Sequence, residues 1–276
     1  MITVKNILVP IDFSQSSENA LEYALSIFGR DNQVVFHLMY SFDSSINTGT
    51  LISVFDVLKQ DVLRKVELVF REKERELNLQ GTKLICVAES VPFFTLLRLA
   101  AKEYDIDMIV MGVDPETVEL DKMSSNKTSK TIKSALCPVI AVPSNSRLKL
   151  PLKVLLAVDY KSSTDLDLLE PLKELAIRFN GHIEVLYVKS GNVDVNQGEA
   201  RAVFDNYFGD IDHTYHYVEG MEVSKVIEDY MHLENVNMVV TMPGKRNLFD
   251  DVFHKSVTNK LVLHTDLPLM ALHKFA

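Results

Sequence analysis

Two aspartates, Asp12 and Asp159, each end a short apolar run and open a polar turn. The first run reads Lys5-Asn-Ile-Leu-Val-Pro-Ile-Asp12-Phe, and the second reads Leu152-Lys-Val-Leu-Leu-Ala-Val-Asp159-Tyr. A carboxylate placed there can cap the turn, or it can accept hydrogen bonds from a ligand beyond the strand end. Cations form a second candidate group. Lys122, Lys127, Lys130 and Lys133 occur with no acid among them, a local charge of +4. In the matching stretch 245–260, Lys245, Arg246, Lys255 and Lys260 stand against Asp250 and Asp251, a net +2. Cations beside a helix N-terminus suit an anion. The same three- and four-residue spacing is also that of a solvated helix face, the more ordinary reading.

Other constellations are weaker. His213-x-x-His216 is the one close histidine pair, and its odd separation in a strand sends the rings to opposite faces, against a shared metal. His254, beside Lys255 and Ser256, can bond an anion or cap a turn. The chain has no Gly-x-x-x-x-Gly-Lys-Ser/Thr, no Gly-x-Gly-x-x-Gly and no Gly-x-Ser-x-Gly. Ser124-Ser-Asn-Lys127 fits Ser-x-x-Lys but lacks the companion motifs of that enzyme class.

The elements that carry these residues recur over half the chain. Ile106–Gly112 returns as Val236–Met242 and Cys137–Pro143 as Leu267–His273, both at an offset of 130 residues. A period of that length means a duplicated domain rather than a solenoid. Apolar runs predict strands at 7–11, 33–39, 82–88, 106–111 and 139–142, then at 153–158, 182–188, 212–218, 236–241 and 269–272. Helices are expected between them, at 165–179, 197–208, 222–234 and 255–264 in the second half. In the first helix Leu21, Ala24, Leu25 and Phe28 mark the inner face. In the second, Leu51, Val54, Phe55, Leu58, Val62, Val66 and Val69 do. Strict alternation predicts an α/β fold of two repeated doubly wound domains, each a parallel sheet flanked by helices. The polar linker Ser144–Pro151 separates domain 1 (residues 1–146) from domain 2 (residues 147–276).

With 276 residues, each half is long enough to bury a core, at about 150 residues per domain. A net charge of -9 argues against generic nucleic-acid binding, which needs a basic surface. No apolar stretch approaches the roughly 18 residues of a membrane span. The chain enters a strand without a signal-peptide pattern, and its two cysteines, Cys86 and Cys137, read as small buried hydrophobes. A cytoplasmic protein is expected.

Ile7-Leu-Val-Pro-Ile-Asp-Phe-Ser14 with Asn19-Ala-Leu-Glu-Tyr-Ala24 resembles the opening of the universal stress protein family. Met108-Ile-Val-Met-Gly112 and Cys137-Pro-Val-Ile-Ala-Val142 resemble its later strands, and the resemblance extends over nearly all of both halves. It implies tandem domains of the adenine nucleotide alpha hydrolase-like kind, each with a five-stranded parallel sheet. It also implies docking of domains through their last strands, and ATP binding in a subset of members, with magnesium only where ATP is bound. The nucleotide-binding members carry Gly-x-x-Gly-x9-Gly-Ser/Thr, whose glycines let amides approach phosphates. Here the pattern falls on Gly112, Pro115, Ser125 and Asn126, so only the first glycine is kept; Pro115 has no amide to donate. In domain 2 it falls on Met242, Lys245, Lys255 and Ser256, and Thr258 matches Thr128.

By that resemblance the candidate ligand contacts are Pro10, Asp12, Leu38, Met111, Gly112, Ser125, Asn126, Lys127 and Thr128, with Asp159, Lys255, Ser256 and Thr258 in the second half. Asp12 would lie near the base. Three functions fit: a non-enzymatic stress regulator that binds ATP or a related nucleotide in domain 1, a protein-interaction module that has lost the nucleotide, or a slow ATPase. The last strands, 139–142 and 269–272, are expected to pair within the chain, and two chains can associate further as a homodimer.

Overall fold

The computed structural model describes residues 4–42, 52–113, 127–146, 149–158, 166–189, 197–220, 222–242, 257–258, 260–262 and 265–272. The chain divides into two compact units, Val4–Val113 and a second that runs from Asp114 to Ala276.

In the first unit four parallel strands, β1 (Asn6–Pro10), β2 (Val35–Ser41), β3 (Lys83–Glu89) and β4 (Met108–Val113), lie in the order β3-β2-β1-β4. Ile7, Leu8 and Val9 are fully buried, as continuous apolar runs covered on both faces must be. The helices are α1 (Gln15–Phe28), α2 (Ile52–Glu76) and α3 (Phe93–Glu103). Ser14 caps α1 by accepting from the Ser17 amide, and Leu21, Ala24, Leu25 and Phe28 form the expected inner face.

Of the face expected for α2, the side chains of Leu51, Val54 and Phe55 lie outside what the structure describes, and the remainder is only partly observed. Val66 is buried, but Leu58 is exposed, and Phe70 rather than Val69 is the fully buried residue, its ring 5.8 Å from that of Phe36. Twenty-five helical residues span roughly 37 Å at 1.5 Å each, well beyond what a seven-residue strand can cover. Cys137 is buried as expected, whereas Cys86 is only half-buried, because β3 has a neighbour on one side only within its unit. Burial pushes the Cys86 thiol up to about 11, away from reactivity.

The second unit contains α4 (Lys127–Ser134), β5 (Val139–Pro143), β6 (Lys153–Val158), α5 (Glu170–Phe179), β7 (His182–Lys189), α6 (Gln197–Phe208), β8 (His213–Glu219), α7 (Val223–Glu234), β9 (Met238–Thr241) and β10 (Leu269–Ala271). Its strands lie in the order β5-β10-β9-β6-β7-β8. From β10 to β8 they are parallel, the five-stranded sheet expected of a half. The helix expected at 165–179 begins as a tight 3-10 turn, Leu166–Leu169, and becomes α-helical around Pro171, whose ring cannot continue an α turn backwards.

β5 and β10 pair antiparallel, with Leu269 opposite Ala141, Met270 opposite Ile140 and Ala271 opposite Val139. Under the 130-residue repeat, Met270 is the counterpart of Ile140, so each strand is laid against its own repeat with Ile140 and Met270 at the centre.

Candidate functional site

In the first unit β1 is the strand at which chain order reverses, with β2 on one side and β4 on the other. Ligands of doubly wound sheets bind beyond the strand ends at that point. Pro10 closes β1 level with Met39, and the Ile11 amide donates to the Met39 carbonyl at 2.9 Å, carrying the pairing one residue further. Asp12 follows, exposed.

Its carboxylate is used locally. Oδ1 accepts from the Ser14 amide at 3.1 Å and from the Ser14 hydroxyl. The Asp12 amide donates to Ser17 Oγ at 3.3 Å, and Ser17 Oγ donates to the Ser14 carbonyl at 2.9 Å. Asp12 therefore caps the turn that starts α1, one of the two roles open to it from sequence. Exposure leaves the carboxylate reachable from the crevice as well.

Met111 is buried near the end of β4, and Leu38 is buried midway along β2, level with Val9. Gly112 is closely approached: a Cβ built there would lie 2.3 Å from both the Ser16 carbonyl carbon and its oxygen, and 2.8 Å from the Ser17 nitrogen. The first turn of α1 rests on β4 at this point. Hence the one retained glycine of the phosphate pattern already has a packing reason to be glycine.

The unit thus gathers Pro10, Asp12, Met111 and Gly112 at one end of its sheet, with Leu38 further in, beside Val9. Lys127 and Thr128 open α4 in the other unit, Lys127 exposed and Thr128 buried. Lys130 and Lys133 are exposed too, while Ser129, Thr131 and Ile132 face inward, so these lysines form the outer helix face. The Oγ of Ser129 and Oγ1 of Thr131 are buried without a hydrogen-bond partner. Thr258 donates from Oγ1 to Thr241 Oγ1 at 3.4 Å. Pro115, Lys122, Ser125, Asn126, Asp159, His254, Lys255 and Ser256 lie outside the described residues.

Sequence reasoning missed the aromatic residues beside Asp12. Phe13 has φ 63°, a left-handed conformation that a bulky side chain adopts with strain. Its ring centroid is 5.2 Å from that of Tyr40, which in turn stacks on Phe42 at 6.3 Å. All three are half-buried. The period-two spacing of Leu38, Tyr40 and Phe42 was the available signal.

A second polar cluster sits near the strand N-termini, at repeat-equivalent positions in the two units. Asp107 accepts from the Lys5 and Asn6 amides at 2.9 Å, and Asn237 Oδ1 accepts from the Lys153 amide at 3.0 Å. The first unit then has Asn6 3.1 Å from His37 Nε2, with the His37 ring 4.7 Å from that of Tyr104. The second has Lys153 Nζ 2.7 Å from Glu184 and 3.0 Å from Glu234, and Tyr230 donates to Glu184. Burial lowers the His37 imidazole to about 4. Burial works to raise the Glu184 carboxyl, but hydrogen bonds from Lys153 and Tyr230 hold it below its ordinary range.

His216 Nε2 lies 3.6 Å from Glu184, whereas His213 Nε2 meets Asp205 at 3.0 Å. The two rings have separate partners, as their odd spacing implies. Among the described residues no group of histidines, cysteines and acids is arranged to hold a metal ion, and no helix is long and apolar enough to cross a membrane.

The sequence profile of the Universal stress protein family matches residues 3–143. No curated protein matches the chain. Among solved structures, the chain is similar to a universal stress protein from Archaeoglobus fulgidus DSM 4304, at 18% identity and TM-score 0.70, covering 99% of this chain and 97% of that one. It is also similar to a functionally unknown protein from Pseudomonas aeruginosa PAO1, at 16% identity and TM-score 0.67, covering 99% and 94%. At these identities the likeness is one of fold.

Proposed function

Since the chain belongs to the universal stress protein family, we propose that it is a non-enzymatic stress-response regulator whose first unit binds ATP or a related nucleotide at the ends of β1 and β4. The observation that supports this most is Asp12: an exposed carboxylate held in a fixed turn, on the strand where order reverses. The base and ribose side of such a ligand fits this end of the sheet. On the phosphate side Gly112 is committed to α1, and Pro115 can donate no amide. Where ATP is held, magnesium would accompany its phosphates.

Native mass spectrometry of the full chain, before and after ATP and magnesium, tests the reading. An adduct that titrates with ATP and weakens in Asp12→Asn supports it. A bare mass at millimolar ATP overturns it.

A second reading has its own support. Gly112 is explained by packing alone, and the α4 lysines face outward, so the fold can persist as a protein-interaction module without a nucleotide. The antiparallel ladder of β5 and β10 supports intrachain pairing of the two domains through their last strands. A homodimer of such chains is a further proposal, tested by light scattering.

A further inference from the structure

We propose that Phe13, Tyr40 and Phe42 form a stacking platform, and that the ligand of this crevice is held by a planar heteroaromatic base rather than by its phosphates. The proposal rests on the nucleotide reading of the same crevice and names its ligand class more narrowly: a purine nucleoside or a nucleotide of few phosphates.

Three observations carry it. First, the rings form a continuous series, Phe13 to Tyr40 at 5.2 Å with a 40° tilt and Tyr40 to Phe42 at 6.3 Å with 28°. All three stay half-buried, while Phe36, further down the same face of β2, is fully buried against Phe70. Half-exposed rings at a strand end keep surface against which a base can pack, and such stacking is tolerant of which base is present.

Second, Phe13 is held where it is. Its positive φ is a conformation that a bulky residue keeps only when its surroundings impose it, and the Asp12–Ser14 hydrogen bonds on either side do so. The same turn that strains Phe13 presents Asp12, whose carboxylate accepts hydrogen bonds from a ribose hydroxyl or an exocyclic amine.

Third, the phosphate side is depleted. Gly112 is closed on one side by Ser16, and the second glycine of the pattern is Pro115, which has no N–H. What recognition this crevice offers then falls mainly to the base and the ribose.

Calorimetric titration of the full chain with adenosine and, separately, with ATP and magnesium decides the matter. Affinities within about threefold of each other are expected. Tyr40→Leu and Phe42→Leu should each weaken both ligands by roughly tenfold, the scale of one stacking contact, with melting temperatures checked first. Should either variant fail to fold, the adenosine-to-ATP ratio of the unmodified chain still decides. ATP binding with no adenosine binding would overturn the platform while leaving the nucleotide site standing. Binding of neither would overturn both.

Discussion

Gly112 and Ser16 are in contact so close that residue 112 has no room for a side chain. A Cβ there would fall 2.3 Å from the Ser16 carbonyl oxygen, a backbone atom that cannot rotate away. Gly112→Ala must therefore lift the first turn of α1 off β4. We expect a loss of about 3 kcal/mol or more, as overpacking against backbone costs. Urea unfolding measures it, and an alanine variant as stable as the parent would contradict the contact.

Asp12 separates structure from recognition. Asp12→Ala deletes the acceptor for the Ser14 amide and hydroxyl, and should cost about 1 kcal/mol, the usual worth of such a cap. Asp12→Asn keeps an oxygen in place and should stay within about 0.5 kcal/mol of the parent. If the carboxylate also serves a ligand, the asparagine variant loses affinity at unchanged stability. Parallel thermal melts and titrations of the two variants read this out.

His37 makes the first unit sensitive to acid. Its folded value is lowered to about 4 from an ordinary 6.5, so the unfolded chain binds the proton first. Stability is then fully present above pH 6.5 and is lost as the pH falls toward 4, by up to about 3 kcal/mol. Replacing His37 by Gln should flatten that part of the stability profile. A slope unchanged by the substitution would assign it to other groups.

The polar cluster near the strand N-termini offers an exchange. Asn6 and His37 in one unit occupy the positions of Lys153 and Glu184 in the other. Lys153→Asn alone removes the ammonium from a buried carboxylate that keeps Tyr230 as a donor, and should cost about 3 kcal/mol. Adding Glu184→His recreates the neutral pair, and the double variant should be more stable than Lys153→Asn. A double-mutant cycle by chemical denaturation gives the coupling.

Much of this was legible in the sequence, and the reasons are local. Leu21, Ala24, Leu25 and Phe28 were read from a 3.6-residue period, and the strands from unbroken apolar runs, because burial imposes those patterns directly. Leu58 misled because periodicity says which side of a helix is apolar, not how far the sheet beneath it extends. The turn role of Asp12 was foreseen, since a cap needs only neighbours in sequence. The partner of Glu184 was not, because Lys153 lies on another strand and meets it only through register. Tyr40 and Phe42 were passed over for the opposite reason: an aromatic in a strand ordinarily means core, and only its partial exposure says otherwise.

The ladder between β5 and β10 bears on how the chain has diverged. Where two identical strands cross about an axis, the central residue must face a copy of itself, and any change there is made on both sides at once. In this chain the central positions are encoded separately, and they hold Ile140 against Met270. A branched side chain can thus meet a flexible one, each compensating for the other's shape. Duplication has turned a self-matching constraint into a lock and key that two loci can adjust independently.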